Sequence, residues 1–310
     1  MHKSPSVTLL AGGVGGARLA HGLAGALAQP EDLTVVGNTG DDDVIYGLHV
    51  SPDLDTVMYT LAGIADPQVG WGVAGDTTAT LETLGRLGVP TWFRVGDQDF
   101  ATHIARTARL RAGEPLSEVT DALRAALGVR SRLLPMSDQP VATRIETAEG
   151  TLDFQEYFVA RRHRDPVRAV TFDGVDEAAP APGVLDAIYS ADVLVLAPSN
   201  PFVSIAPILA VPGVQDALTT TQARRVGVSP IVGGRAIKGP AAAMLEAMGH
   251  EVSALGVARL WADILDVLAI DSVDAHLAPA IEELGLRPLV TGTVMGDQLD
   301  RERLARGLIV

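Results

Sequence analysis

The stretch that decides the fold is Val7-Thr8-Leu9-Leu10-Ala11-Gly12-Gly13-Val14-Gly15-Gly16-Ala17-Arg18. An apolar run typical of a buried strand leads into four glycines, and a helical pattern continues over Ala17–Ala28. Glycine lets the backbone approach a phosphate closely, and the free amides at a helix N-terminus attract the anion. The spacing Gly-Gly-x-Gly-Gly departs from the dinucleotide-binding pattern. We therefore predict a phosphate-binding turn; the alternative is a tight turn that only packs the helix on the sheet.

Segments with strand and helix patterns alternate along the rest of the chain. The predicted strands are Leu33–Gly37, Asp192–Ala197, Arg225–Val228, Val252–Leu255 and Val267–Ile270. The predicted helices are Leu54–Ala62, Thr77–Leu87, Ala101–Ala112 and Leu116–Leu127. A β-hairpin is predicted from the alternating segments Val141–Thr147 and Thr151–Val159, and loops are predicted at Arg161–Asp165 and Asp173–Pro182. This order predicts an α/β protein with a Rossmann-like, doubly wound and mainly parallel sheet.

The whole chain, residues 1–310, is predicted to form a single domain, because no repeat or low-complexity linker divides it. The Rossmann-like core would cover about residues 1–75 and 130–310. The helical patterns between them predict a cap or insertion over about residues 76–129. A chain of this length can bury a sizeable core around one sheet.

Composition and charge exclude several classes of partner. Hydrophobic residues make up 47% of the chain, cysteine is absent, and the net charge is −14. Such a surface repels nucleic acid and anionic membranes, yet backbone amides, arginines and a divalent cation can still hold a small phosphorylated ligand. The apolar runs are too short to span a membrane, and Met1-His2-Lys3-Ser4-Pro5 lacks a signal-peptide layout. We therefore expect a cytoplasmic protein.

Two acidic segments are candidates for a metal site. Asp41-Asp42-Asp43 closes a predicted strand, at the edge of the sheet where open α/β folds bind ligands. Pro52-Asp53-Leu54-Asp55-Thr56 opens a helix, where Asp53 would cap and Asp55 would point elsewhere. Carboxylates from two segments beside a phosphate turn suit a hydrated Mg²⁺ ion. The alternative is a solvated acidic turn followed by an ordinary helix cap.

Polar residues also follow two later strands. Ala197-Pro198-Ser199-Asn200-Pro201 comes after one of them, and Val228-Ser229-Pro230-Ile231-Val232-Gly233-Gly234-Arg235 begins at the end of the other. Their hydroxyl and amide groups either read a base or ribose edge or cap the helices that come next. The loop Phe93–Asp99 adds one arginine and two acids ahead of His103, to which we assign no chemistry.

Taken together, these segments resemble the 2-phospho-L-lactate transferase (CofD/FbiA) family over nearly the whole chain. The motifs that carry the resemblance are Gly12–Gly16, Asn38–Asp42, Pro52–Thr56, Trp71-Gly72, Gly96–Asp99 with Ala101–His103, Leu134–Asp138, Phe154–Glu156, Ala197–Pro201 and Ser229–Gly233. The resemblance implies a late step in the synthesis of the deazaflavin coenzyme F-420. In that step a guanosine-diphosphate-activated three-carbon acid reacts with the ribityl hydroxyl of 7,8-didemethyl-8-hydroxy-5-deazariboflavin (Fo), and GMP leaves.

The resemblance also implies roles for individual residues. The donor diphosphate would lie against Gly12, Gly13, Gly15 and Gly16, and the guanosine against Ser199, Asn200, Ser229 and Gly233. Asp41 and Asp55 would bind Mg²⁺, with Mn²⁺ as a substitute, and would be the catalytic residues. Asp55 and Arg94 would face Fo. A homodimer without nucleic-acid or membrane partners is expected.

Two residues differ from the family pattern, and two other functions remain possible alternatives. Gln98 stands where an arginine is frequent, and Gly16 stands where some members have a larger residue, which is expected only to loosen the turn. Lactyl, enolpyruvyl and glyceryl donors all remain open. The main rival is a nucleotide-sugar-binding regulator of the gluconeogenesis-factor (YvcK) type, which the segment Pro52–Thr56 disfavours. A dinucleotide-dependent oxidoreductase is disfavoured by the glycine spacing.

Overall fold

A seven-stranded parallel sheet forms the centre of the protein in a computed structural model, which describes residues 4–310. In spatial order its strands are β14 (Arg287–Thr291), β13 (Val267–Asp271), β10 (Arg224–Val228), β9 (Val193–Leu196), β1 (Val7–Ala11), β2 (Leu33–Gly37) and β5 (Arg132–Pro135). All neighbouring pairs run parallel. The predicted α/β, Rossmann-like fold is therefore confirmed. Met1, His2 and Lys3, part of the segment used to exclude a signal peptide, lie outside the described residues.

Helices cover both faces of this sheet. They are α1 (Gly13–Ala26), α2 (Pro52–Leu61), α3 (Ala79–Arg86), α4 (Asp97–Arg111), α5 (Leu116–Ala126), α6 (Val184–Ser190), α7 (Ala206–Ala210), α8 (Val214–Thr220), α9 (Ala241–Ala247), α10 (Ala254–Trp261), α11 (Ala278–Glu282) and α12 (Gln298–Ile309). Alternate strand residues point to opposite faces, so Leu9 belongs to one buried core and Leu10 to the other. Helix α1 packs between α2 and α12, which fixes the position of its N-terminus.

Three small antiparallel sheets surround the central one. They are β3 (Asp43–Ile45) with β4 (Leu48–Val50), β11 (Ile231–Val232) with β12 (Arg235–Ala236), and β7 (Gly150–Asp153), β6 (Ala142–Thr147) and β8 (Val167–Asp173). The predicted hairpin is β6 with β7, but its second strand ends at Asp153 and a π-helical turn comes next over Glu156–Ala160. Strand β8 was not predicted, nor were β5 and β14.

One predicted strand is wrong. The segment Val252–Leu255 leads into α10, which begins at Ala254, because the Ser253 side chain caps that helix by accepting a hydrogen bond from the amide of Gly256. A short apolar run does not by itself separate a strand from a buried helix start. Helix α1 also begins earlier than expected, at Gly13, so three of its glycines lie within the first helical turn.

The helices predicted for the cap, α3, α4 and α5, occur in the chain between α2 and β5. Helix α4 packs against β4 and α5, and α5 packs against β5, so this region is attached to the core. The boundaries of the cap remain a prediction. Within residues 4–310, no single helix is long and apolar enough to cross a membrane, although one pair of helices, bent by 88° at the break between them, has the required length and composition.

Candidate active site

A cavity of about 790 Å³ opens at the carboxyl edge of the central sheet. Its wall includes residues that come directly after four different strands, namely Gly12 after β1, Asp41 after β2, Ser199 after β9 and Ser229 after β10. Parallel strands end at one edge, which is where open α/β sheets bind ligands. The structure therefore brings together most of the residues that the sequence singled out. Gly16 and Gly233 do not line the cavity.

The glycine segment uses two of its amides internally. The Gly12 amide donates to Ser199 Oγ at 3.2 Å, and the Gly13 amide donates to Asp53 Oδ1 at 2.7 Å. Gly13 has φ +64°, which glycine adopts without strain. Residues Val14 and Gly15 occupy the first turn of α1, where amides have no acceptor within the helix. The amides of Val14 and Gly15 are therefore the ones presented to a ligand.

The other glycines also allow close packing. A Cβ atom on Gly15 would lie 2.7 Å from the Pro198 carbonyl oxygen, and one on Gly16 would lie 2.8 Å from Ala11 Cβ. Both distances are shorter than side-chain atoms tolerate, so the packing role and the ligand role coexist in this segment. A larger residue at position 16 would collide with Ala11 in the core. Gly16 therefore permits a tighter turn in this chain, whereas we expected a glycine at this position to loosen the turn.

Two buried carboxyl groups lie beside this turn. Asp53 does not cap its own helix; its side chain accepts from the Gly13 amide and, at 2.9 Å, from Asn38 Nδ2. Burial raises the pKa of Asp53 to about 6. Burial, and after it the charge of Asp53, raises the pKa of Asp41 well above its usual range. Sequence reasoning paired Asp41 with Asp55 and missed Asp53.

The carboxylate chemistry at Asp41 fits a divalent cation. Asp41 lines the cavity, is 6% exposed, and its Oδ1 has no hydrogen-bond partner in the described chain. An oxygen that is buried and unpaired, next to a second acid, is what a hard cation such as Mg²⁺ satisfies. Asp41 remains a prediction as a metal ligand, supported by this geometry.

The raised pKa values predict how stability changes with pH in the metal-free protein. A carboxyl group whose folded pKa exceeds its unfolded pKa holds its proton longer in the folded state, so stability falls as pH rises between the two values. For Asp53 that window runs from the ordinary value of 3.8 to about 6. Each such group contributes up to about 1.4 kcal/mol per pH unit within its window.

We expect Asp53→Asn to reduce this pH dependence. Relative to the parent protein, the variant should gain free energy of unfolding as the pH rises from about 4 to about 6, because only in the parent does the unfolded chain release a proton at position 53 that the folded state retains. Urea unfolding in chelator across this range measures the difference. A constant difference between the two proteins at every pH would show that the carboxyl group at position 53 has an ordinary pKa.

A second polar cluster surrounds Asp55. Arg106, which is fully buried, donates from Nη1 to Asp55 Oδ2 at 3.0 Å and from Nη2 to Asp55 Oδ1. His103 lies between two acids, with Nδ1 3.6 Å from Asp55 Oδ2 and Nε2 3.4 Å from Asp99 Oδ1. Tyr59 donates to Asp99 at 2.8 Å. The Arg106 guanidinium neutralises Asp55 without a cation, and the role of Asp55 as a metal ligand stays a prediction.

His103 belongs to the cavity, although sequence reasoning gave it no chemistry. It is 2% exposed and lines the wall together with Asp55 and Asp99. The signal was present in the spacing, because Asp99, His103 and Arg106 fall on one face of α4 at i, i+4 and i+7. Asp55, Asp99 and His103 each place one ligand atom within 4.8 Å of the others, but Arg106 supplies the positive charge there.

Arg94 lines the cavity with an exposed side chain, and within residues 4–310 it forms no ion pair. Trp92 and Phe93, which come directly before Arg94 in the chain, also line the cavity. Gln98 does not line the cavity; its backbone N–H donates to the Asp76 carboxylate. The structure therefore places Arg94, but not Gln98, where a ligand can reach it.

The residues expected on the guanosine side have partners of their own. Asn200 accepts from the amide of Phe202 at 2.9 Å and so caps the next turn, and Ser229 Oγ donates to the carbonyl of Ile231 at 2.9 Å. The capping alternative therefore describes Asn200, whereas Ser229 closes a turn that leads into β11, and both residues still line the cavity. The Gly233 amide donates to Asp274 at 3.0 Å, outside the cavity wall.

Aromatic residues that the sequence did not single out as binding groups complete the wall. Phe154 and Phe158 stack with centroids 5.5 Å apart, and His163 stacks on Phe158 at 5.4 Å. All three line the cavity, as does Trp71, which is 40% exposed. Flat ligand rings bind well against such surfaces because stacking contributes beyond the area that it buries.

Among solved structures, the fold is similar to that of a UPF0052-family protein from Bacillus halodurans. The TM-score is 0.65 over 100% of both chains, at 17% sequence identity. A second structure of a protein from the same organism gives a TM-score of 0.61 over 94% of this chain and 93% of that one, at 18% identity. Identity this low bears on the fold alone.

Closer similarity appears in sequence. A phosphoenolpyruvate transferase from Streptomyces griseus is 47% identical over 297 residues, covering 94% of this chain and 93% of that protein. A 2-phospho-L-lactate transferase from Methanothermobacter thermautotrophicus is 44% identical over 310 residues, covering 100% and 99%. The model of the family described as 2-phospho-L-lactate transferase CofD matches residues 7–284. This chain therefore belongs to the CofD family of transferases.

Proposed function

We propose that the protein transfers a phospho-three-carbon-acid group from a guanosine-diphosphate-activated donor to the ribityl hydroxyl of Fo, in coenzyme F-420 biosynthesis. The observation that carries the proposal is the meeting, in one cavity, of the free α1 amides with the buried acids Asp41 and Asp53. Amides attract the diphosphate, and a cation on the acids would neutralise it. The aromatic walls suit two flat rings, guanine and deazaflavin.

In the proposed reaction the acceptor oxygen attacks the phosphorus nearer the three-carbon acid. The bond from that phosphorus to the bridging oxygen breaks, GMP leaves with this oxygen, and the hydroxyl proton goes to a base. Phosphoryl transfer of this kind depends on positioning and charge neutralisation more than on a protein nucleophile. Mg²⁺, or Mn²⁺ in its place, would supply that neutralisation when held by Asp41.

Asp55 is the proposed contact to the incoming hydroxyl. It lines the cavity, and Arg106 holds both of its oxygens, so its carboxylate cannot rotate freely. A carboxylate fixed in this way can orient the hydroxyl and accept its proton. Asp55 remains a proposed catalytic and acceptor-binding residue on this argument.

The proposal is tested by direct turnover. The protein is incubated with Mg²⁺, Fo and one donor at a time, the lactyl, the enolpyruvyl or the glyceryl compound. The products are separated by chromatography and identified by mass spectrometry. The expected result is GMP and a phospho-acid ester of Fo in equal amounts, with one donor preferred. The relatives carry both phosphoenolpyruvate and 2-phospho-L-lactate transferase names, so the donors are compared rather than assumed. Binding of a nucleotide sugar without turnover would favour the regulator.

Arg94→Ala is expected to raise the KM for Fo by about ten- to a hundred-fold, with little change in the KM for the donor. The exposed guanidinium of Arg94 has no acidic partner in the described residues and is free to bind acceptor oxygens. Steady-state kinetics with each substrate varied in turn measures both constants. If the KM for the donor rises while the KM for Fo does not, Arg94 belongs to the phosphate side of the cavity.

A homodimer, a cytoplasmic location and the absence of nucleic-acid or membrane partners remain predictions from the sequence. The net charge of −14 supports the exclusion of nucleic acid, because phosphate backbones are repelled by such a surface. Size-exclusion chromatography with light scattering tests the dimer independently of activity.

A further inference from the structure

Lys238 is an unusual residue in this protein. The chain contains only two lysines, and Lys238 is the one that lies among the described residues. It comes after β12, lines the cavity, and its Nζ donates to the carbonyl oxygen of Val69 at 2.7 Å. In the described part of the chain no carboxylate pairs with it, so the cavity wall holds a lysine whose charge is not neutralised.

A second cationic side chain, that of Arg18, lines the same cavity. Arg18 lies on α1, one turn beyond Val14, lines the cavity, and donates from Nη1 to the carbonyl oxygen of Met295 at 3.2 Å. Side chains on a helix lean toward its N-terminus, so Arg18 leans toward the free amides of the first turn. A Cβ atom on Gly70 would lie 2.6 Å from Val14 Cγ1 and 3.5 Å from Lys238 Nζ, which places Lys238 at that same turn.

The positive charges of Arg18 and Lys238 repel each other. Partial loss of hydration and then the charge of Arg18 lower the pKa of the exposed Lys238, and the same two causes lower the pKa of Arg301. Within residues 4–310 the polar contacts of Arg18 and Lys238 are to the neutral carbonyl oxygens of Met295 and Val69, and neither cation forms an ion pair, although the chain carries a net charge of −14. Like charges held together without a counter-charge are stabilised when an anion binds between them.

We infer that Arg18, Lys238 and the amides of Val14 and Gly15 form an oxyanion subsite that binds one anionic group of the donor. A helix of 14 residues presents its positive end there, and two flexible cations flank it. The assignment of the anion to the donor rests on the proposed function. Two oxyanions of the donor fit this chemistry, a phosphate of the diphosphate and the carboxylate of the three-carbon acid.

Calorimetric titrations of the full chain distinguish these sources. The proteins are the parent, Arg18→Gln and Lys238→Gln, with Arg86→Gln as a control that removes the same charge from an exposed residue outside the cavity wall. The probes are GDP, GMP, guanosine, and phosphoenolpyruvate in the presence of saturating GMP, all at one ionic strength. Thermal unfolding of each variant checks that the fold is intact.

Arg18→Gln and Lys238→Gln are each expected to weaken the binding of an anionic probe by about ten- to a hundred-fold and to leave guanosine unaffected. Loss of GDP affinity assigns the subsite to a phosphate. Unchanged GDP affinity with loss of phosphoenolpyruvate affinity assigns it to the acid end of the donor. In both cases Arg86→Gln should bind like the parent protein.

The inference is overturned if both variants bind every anionic probe as the parent does, or if the parent binds none of them. The inference is also overturned if Arg18→Gln and Lys238→Gln lose no more affinity than Arg86→Gln does, because the loss then reflects the change in net charge alone. A failure of the proposed function looks different. In that case the parent binds the anionic probes and the two variants bind them more weakly, but no ester of Fo forms with any donor.

Discussion

Asp41→Asn is expected to lower turnover by on the order of a thousandfold while the protein stays folded. A metal ion that neutralises developing charge contributes several kcal/mol to the transition state, and each 1.36 kcal/mol corresponds to a tenfold change in rate. The unpaired Oδ1 of Asp41 offers the cation an oxygen without first breaking a protein hydrogen bond. Asparagine keeps the shape of the side chain and removes the charge.

The same variant should not lose stability at neutral pH. Burial and the neighbouring Asp53 raise the pKa of Asp41, so the ionised form is costly in the folded metal-free protein. A neutral amide avoids that cost, and we expect the melting temperature of the variant in chelator to equal or exceed that of the parent. With GDP already present, adding Mg²⁺ should raise the melting temperature of the parent further but not that of the variant.

Asp43→Asn is the matched control for this prediction. Asp43 belongs to the same acidic segment, but it lies on β3 outside the cavity wall, and within residues 4–310 its side chain accepts only from the amide of Val44. Its turnover should remain within about twofold of the parent, in keeping with a surface change. Undiminished turnover of Asp41→Asn, or of the parent in excess chelator, would remove the metal from the mechanism.

Part of this site was predictable because parallel strands end together. The four glycines after β1, the acids after β2 and the serines after β9 and β10 each come after an apolar run in the sequence. Once those runs are recognised as parallel strands, topology alone brings the residues at their carboxyl ends to one edge. No distance had to be known for Gly12, Asp41, Ser199 and Ser229 to be grouped correctly.

Other contacts were not predictable, because they depend on how separate segments pack. Asp53 and Asp55 lie two positions apart at the start of α2 and therefore point in different directions. Which of them faces the Gly13 amide is decided by the packing of α1 on α2, and it is Asp53. Arg106 lies 51 residues from Asp55, and no local pattern relates the two.

The edge strand β14 was missed for a related reason. Its sequence, Arg287–Thr291, contains proline and is only partly buried, so it lacks the uniform apolar run of the central strands. Proline is tolerated there because an edge strand does not need every amide for the ladder. Sequence reasoning thus found the centre of the sheet more readily than its edge.

Arg106→Met is expected to destabilise the protein by about 3–5 kcal/mol, the cost of leaving a buried carboxylate without its partner. Both groups of the pair are buried, since the Asp55 and Arg106 residues are 4% and 0% exposed. Methionine approximates the aliphatic stem of arginine, so loss of packing adds little. Urea unfolding monitored by circular dichroism measures the change, and Arg109→Met is the matched control on the same helix, because its partner Glu114 is half-exposed.

A double variant separates the stability of this pair from its role in the reaction. Asp55→Asn combined with Arg106→Met removes both charges of this pair, so most of the lost free energy of unfolding should return relative to Arg106→Met alone. Turnover should not return with it, because the carboxylate proposed to orient the acceptor hydroxyl is gone. If the folded double variant works as fast as the parent, Asp55 serves only to neutralise Arg106 and the acceptor must be held by other groups. If Arg106→Met alone is as stable as Arg109→Met, the pair does not form as described and Asp55 is free to bind a cation.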